Sequence, residues 1–222
     1  MITIGYGVFN GTSGGGGGFS NPYLPSSYTG GWADPENAYD GSGSATGGNT
    51  GLTLNPTAGG FDSGSTTVSE TYSYASETGF SQIVIAGTYD YDLTSDAVQY
   101  TTGSEDPFFQ AYVTGVAYFY VDVSTDGGSN WTTIETRACN TTGGPLSPSG
   151  QNLTGSNQSF NATLTSGTTP AIPANLSSLK IRFRSYITAN AYRANDGGSP
   201  NTLYNATGLS TNLVRNMTVT LS

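Results

Sequence analysis

Residues 116–137, VAYFYVDVSTDGGSNWTTIETR, decide the fold. Tyr118, Tyr120 and Asp122 alternate with Phe119, Val121 and Val123, the period-two pattern of a pleated strand whose faces meet different surroundings. Ser124-Thr125-Asp126-Gly127-Gly128-Ser129-Asn130 supplies a turn, because Asp-Gly suits positions of positive φ where a Cβ would clash. Trp131-Thr132-Thr133-Ile134 returns as a second strand, rich in aromatic and β-branched residues. The stretch is a hairpin, and the rest of the chain is expected to be built around such hairpins.

Composition agrees. The chain has 222 residues, of which 32 are Gly and only 9% are charged. Fifteen Tyr and nine Phe supply buried area that a disordered chain lacks. Residues that favour long helices are scarce. The expected class is all-β: an antiparallel β-sandwich of jelly-roll type with long Gly/Ser/Thr/Asn-rich loops. Residues 1–31, with five consecutive glycines at 14–18, read as an extended N-terminal arm. Residues 32–222 form the sandwich domain, with no internal repeat and no second domain.

Other strands follow by the same logic. Residues 179–188, LKIRFRSYIT, alternate most cleanly: Leu179, Ile181 and Phe183 point one way, Lys180, Arg182 and Arg184 the other. Residues 80–93 hold the apolar run Ile83-Val84-Ile85-Ala86, a well-covered strand. Residues 94–108 read as a loop, and Gly115 as a bend or bulge. Residues 138–178 read as a long polar insertion hiding at most a short strand at 159–164. The last strand, 213–221, is expected to put Leu213, Met217, Val219 and Leu221 on one face, with Arg215 near its start.

Net charge is −9 with six basic residues. Nucleic-acid binding, which needs a basic field, is excluded as an expectation. No apolar run reaches the roughly 18–20 residues of a membrane-spanning helix. Met1-Ile2-Thr3-Ile4 lacks the basic and apolar regions of a secretory signal, so synthesis in a host cytoplasm is expected. The single Cys139 reads as a buried thiol, and nine Asn-x-Ser/Thr sequons are not read as glycosylated.

The absence of His removes the usual nucleophile–histidine catalysis and histidine zinc sites. A glycosidase would need two carboxylates, and Glu135 is the one Glu within a clear strand. The expectation is no enzyme and no cofactor. Asp34, Glu36 and Asp40 lie close together among turn residues and are the candidate ligands for a structural calcium, with Asp90 and Asp92 a second pair. Trp32 and Tyr39 are candidates for ligand contact. Tyr23, Tyr28, Tyr192 and Tyr204 also sit near turns and could stack on sugars. Lys180, Arg182 and Arg184, half of all the basic residues, are candidates for clamping the acidic surface of a neighbouring subunit; the other reading, and the favoured one, is a solvent-facing strand whose cations pair with the chain's own excess acids.

Trp32-Ala33-Asp34-Pro35-Glu36-Asn37-Ala38-Tyr39-Asp40-Gly41, followed by Ala45-Thr46, resembles the opening of β-sandwich domains found in phage structural proteins. Those domains commonly begin W-x-N-P-x-N-A, with D-G-x-x-A-T after it; Asp34 stands where Asn is usual. The opening also resembles galactose-binding-type jelly rolls, where such a turn often sits beside calcium. The resemblance implies a virion protein, decorating a capsid or belonging to a tail, with other virion proteins and further copies of itself as partners. The alternative expectation is a carbohydrate-binding adhesion module, recognising a surface glycan.

Overall fold

In the computed structural model, the residues described are 19–33, 45–48, 51–54, 57–60, 63–101, 111–143, 151–193 and 202–222. The two strands of the opening hairpin are β7 (Ala111–Ser124) and β8 (Thr132–Gly143), and the alternating basic strand is β10 (Lys180–Arg193). In the hairpin turn both glycines take positive φ, Gly127 at 77° and Gly128 at 102°. The Asp126 carboxylate accepts from the Asn130 amide and from both the Ser124 hydroxyl and the Asn130 side chain. These bonds hold the Asp126 carboxyl far below its usual range.

The remaining strands are β1 (Ser27–Ala33), β2 (Ala45–Gly48), β3 (Gly51–Leu54), β4 (Thr57–Gly60), β5 (Ser63–Ser73), β6 (Ile83–Thr101), β9 (Gln151–Leu164) and β11 (Thr202–Leu221). One sheet has five strands in the order β1-β5-β10-β7-β8. The other has the order β2-β3-β11-β6-β9, with β4 also paired to β11. All ladders are antiparallel. From β5 onward each strand crosses to the opposite sheet except at the β7–β8 hairpin, which is the jelly-roll path. The all-β sandwich expected from sequence is the fold observed. Among the described residues no helix is long and apolar enough to cross a membrane.

The core lies between the sheets. Ile83, Ile85, Tyr89 and Leu93 of β6 face Phe119, Val121 and Val123 of β7 and Ile181, Phe183 and Ile187 of β10, all buried. The Phe183 ring meets Tyr72 at 5.7 Å and Phe160 at 5.9 Å between centroids, an edge-on geometry that the ring quadrupoles favour. One half of the interior also holds polar side chains. Asn212 donates to Ser185 at 2.7 Å and to Ser210 at 2.6 Å, and its carbonyl oxygen has no partner among the described residues.

Several expectations need correction. The loop expected at 94–108 is strand as far as Thr101, because β11 pairs residue for residue with it from Thr202 onward. Residues 138–143 and 151–164 fill much of the expected polar insertion with strand. β9 is an edge strand whose only buried side chains are Phe160 and Leu164, so it has no need of an apolar sequence. β5 was equally hidden: Val68 and Tyr72 face the core, while Ser and Thr cover its other side. Gly115 pairs regularly with both Ala189 and Thr141, and the irregularity of β7 falls between Val121 and Asp122. In β11 the ladder slips between Arg215 and Thr218, with Asn216 at φ 51°. Val214 therefore points inward before the slip and Val219 and Leu221 after it, leaving Leu213 on the opposite side from Val219.

β1 runs across positions 31 and 32, where the arm was expected to give way to the sandwich. Preceding residues already join the fold. Asn21 donates to the Leu221 carbonyl and accepts from the Leu221 amide, and Tyr23 donates its amide to Val219. The glycine run at 14–18 lies outside the described residues.

Two tests follow from the packing. A Cβ at Gly208 would overlap the Ile187 Cγ2 across the sheets. Gly208→Ala is expected to lower stability by about 1–3 kcal/mol, and combining it with Ile187→Ala should cost less than the sum of the two changes in urea unfolding. Burial, helped by the nearby charge of Glu70 and by Tyr28, pushes the Tyr72 hydroxyl up to about 12. The neutral phenol is thus favoured by the fold; its contribution is full below pH about 10 and lost as pH rises through about 12. Tyr72→Phe should shallow the loss of stability across that window, as read by chemical unfolding at successive pH values.

Candidate functional site

The outward face of the five-stranded sheet carries the densest chemistry among the described residues. Alternation sends Lys180, Arg182, Arg184 and Tyr186 of β10 outward, and Tyr118, Tyr120 and Asp122 of β7 likewise. The register sets Arg182 opposite Asp122, Arg184 opposite Tyr120 and Tyr186 opposite Tyr118. Each is a direct cross-strand neighbour, the pairing through which sheet side chains interact most strongly.

Asp122 is the centre of this face. Its side chain is 1% exposed, against 24% for Arg182 and 25% for Arg184. One carboxylate oxygen accepts from Arg182 Nε at 3.0 Å and Nη2 at 2.9 Å, and from Arg184 Nε at 3.0 Å. The other accepts from the Thr133 hydroxyl at 2.7 Å, on β8. Burial acts to raise the Asp122 carboxyl; hydrogen bonds from Arg184, Thr133 and Arg182, with the Arg184 charge, outweigh it and hold the group below the usual carboxylate range.

The clamped guanidinium groups lie on aromatic rings. Arg182 sits 4.0 Å from the centre of the Trp131 ring, and Arg184 4.0 Å from that of Tyr120. Tyr118 stacks beside Tyr120, centroids 5.3 Å apart and planes 15° apart, and Tyr186 lies 6.1 Å from Tyr118. The result is one strip across β8, β10 and β7. The hydroxyls of Tyr118, Tyr120 and Tyr186 have no side-chain or backbone partner among the described residues, so each can donate and accept outward. Lys180 extends the strip and donates to Ser73 at 2.7 Å.

The residues expected to serve function divide unevenly. Lys180, Arg182 and Arg184 share one face, as their spacing predicts, and the two arginines pair with an acid of their own chain, Asp122. Asp34, Glu36, Asp40 and Tyr39 lie outside the described residues, as does the side chain of Trp32. Asp90 of the second proposed calcium pair is engaged: it forms an ion pair with Arg215 and accepts from the Asn157 amide. Among the described residues no cluster of three or more acidic or thiol groups could hold a metal. Glu135 lies on the core side of β8, accepting from the Tyr89 hydroxyl at 2.9 Å and pairing with Arg137 at 3.1 Å. That carboxylate ties the two sheets together at their open side. Cys139 is buried, and desolvation pushes its thiol up despite a hydrogen bond at Ser95.

Tyr118, Tyr120, Trp131, Tyr186 and Asp122 were not among the expected site residues. Their signal was present in part, since Tyr118, Tyr120 and Asp122 share one phase of the alternation and Tyr186 continues the basic phase.

The clamp can be tested. Asp122→Asn keeps the shape and removes the charge, and is expected to cost about 2 kcal/mol at pH 7. Because the folded carboxyl lies below its unfolded value, Asp122 contributes fully above the ordinary carboxylate range and the contribution vanishes as pH falls through the folded value. The variant should therefore lose less stability than the wild type on acidification, measured by urea unfolding between neutral and strongly acid pH.

No protein-family model matches the chain, and no curated protein is similar to it in sequence. Solved structures similar to this chain include two carbohydrate-binding modules. The first, TmCBM61 in complex with β-1,4-galactotriose, has 11% identity and a TM-score of 0.23, covering 92% of this chain and 97% of its own. The second, a family 11 module from Clostridium thermocellum in complex with a β-1,3-1,4-mixed-linked tetrasaccharide, has 13% identity and a TM-score of 0.23, covering 86% of this chain and 88% of its own. At that level of superposition neither structure transfers a ligand or a site to this chain.

Proposed function

We propose that this sandwich is a carbohydrate-binding module that docks glycans on the outward face of its five-stranded sheet. The observation that carries the reading is the strip of Tyr118, Tyr120 and Tyr186, whose hydroxyls lack partners among the described residues and whose neighbours on the sheet include arginines fixed by Asp122. A saccharide offers many hydroxyls and apolar C–H patches. It suits a rigid row of amphipathic rings with donors between them. Building the row on paired strands rather than loops keeps it preorganised, which lowers the entropy lost on binding.

The reading is non-catalytic. The strip holds a single carboxylate among the described residues, and that one is fully engaged by Arg182, Arg184 and Thr133. The alternative of a virion decoration or tail role rests on the short motifs at 32–46, most of which fall outside the described residues. The outward strip gives it no separate support.

The test is a glycan array followed by titration calorimetry on the best ligand. Tyr118→Ala and Tyr186→Ala are each expected to weaken binding about tenfold, the equivalent of roughly 1.4 kcal/mol, with unfolding midpoints little changed. Tyr118→Phe separates the hydroxyl from the ring. Failure of the wild-type protein to bind any glycan would overturn the proposal.

A further inference from the structure

We infer that the glycan taken by this face is acidic, carrying carboxylate or sulfate groups. This rests on the carbohydrate-binding reading and gives it a substrate class. The chain as a whole carries −9, so a cationic face needs a reason. Two of its six basic residues are neutralised elsewhere: Arg137 pairs with Glu135 on the core side of β8, and Arg215 with Asp90 on the other sheet. Lys180, Arg182 and Arg184 project together from one side of β10 and share one carboxylate, Asp122. Three cations less one anion leave a local excess of two positive charges among the described residues of the strip.

The geometry also leaves donors to spare. A guanidinium has five N–H groups. Arg182 and Arg184 turn Nε and Nη2 toward Asp122, and the Nη1 group of each has no protein acceptor among the described residues. Both side chains are about a quarter exposed. A planar fork with an unused edge is the shape that receives a carboxylate or sulfate oxygen. Along β10 the cations recur every second residue, roughly 6.6–6.8 Å apart, which presents a repeating row to a repeating polymer. The tyrosine hydroxyls that lack partners among the described residues lie beside that row. They favour a ligand that combines anions with many hydroxyls over the acidic surface of another copy of the chain.

Overall negative charge makes the experiment clean, because indiscriminate attraction of polyanions is opposed by the rest of the molecule. The full chain is titrated calorimetrically with polygalacturonate, its methyl-esterified form, dextran sulfate and unmodified dextran. Binding is expected to at least one anionic polymer. Its esterified or neutral counterpart should bind at least tenfold more weakly, and raising NaCl from about 0.05 to 0.3 M should weaken the anionic complex severalfold. Preference for polygalacturonate assigns a carboxylate to the site, and preference for dextran sulfate assigns a sulfate.

Arg184→Gln should weaken anionic binding about tenfold. Lys180→Gln, which leaves the Asp122 clamp intact, should weaken it severalfold, so a loss of fold in the arginine variant does not decide the matter. Equal binding of charged and neutral polymers overturns the acidic assignment while leaving the carbohydrate reading in place. Binding of none of the four overturns the acidic assignment, while the glycan array decides the carbohydrate reading separately. Self-association that disappears in Lys180→Gln, without any anionic binding, overturns the inference in favour of contact between copies.

Discussion

One buried carboxylate governs the outward face of this protein. Asp122 sits on β7, yet its hydrogen bonds come from β10 and β8. A charge taken out of water is costly, and the cost is offset only by close, well-directed partners. Here two guanidinium groups and a hydroxyl supply them, and in doing so they fix the lateral relation of three neighbouring strands. The arginines gain in turn. Long flexible side chains are held in one orientation, each over a ring, so the surface they present is set before anything arrives.

The opposite side of the same strands shows a second solution to the same problem. Glu135 and Arg137 of β8 lie where the sandwich opens toward β6, with the Tyr89 hydroxyl on the carboxylate and the guanidinium 5.8 Å from the centres of both the Tyr89 and Tyr91 rings. Charge, hydroxyl and ring again occur together, here closing an edge. Hydrogen bonding to Glu135 adds to burial in keeping the Tyr89 phenol neutral. The two clusters together hold three of the chain's six basic residues, all of them arginines.

How much of this could be read from the amino acids depended on what each strand faces. The opening hairpin was legible because Gly127 and Gly128 answer a backbone need and because one side of β7 is uniformly apolar. β10 was legible for the same reason. β5 and β9 were not, since Ser, Thr and Asn dominate them and burial touches only a few of their described side chains. A backbone ladder makes no demand on side-chain polarity, so a strand at an edge or over a polar interior leaves little trace in composition. The site was half legible. Periodicity gathered the three cations, but Arg182 and Asp122 are separated by 60 positions, and their meeting depends on register between strands. Without that register the cations could be matched either to acids of the chain itself or to those of a neighbouring subunit, and the particular partner, Asp122, could not be named.

The slip at Asn216 has a consequence for how the chain can vary. Val214 and Val219 both face the interior although five positions separate them, an odd interval that a regular strand would send to opposite sides. The two ends of β11 serve different interiors, Ser210 and Asn212 the polar half and Val219 and Leu221 the apolar half. The strand thus obeys a parity rule: loss or gain of a single residue within it inverts one of those halves, whereas a change of two preserves both. Variation in length is confined by arithmetic here even where the side chains themselves are free to differ.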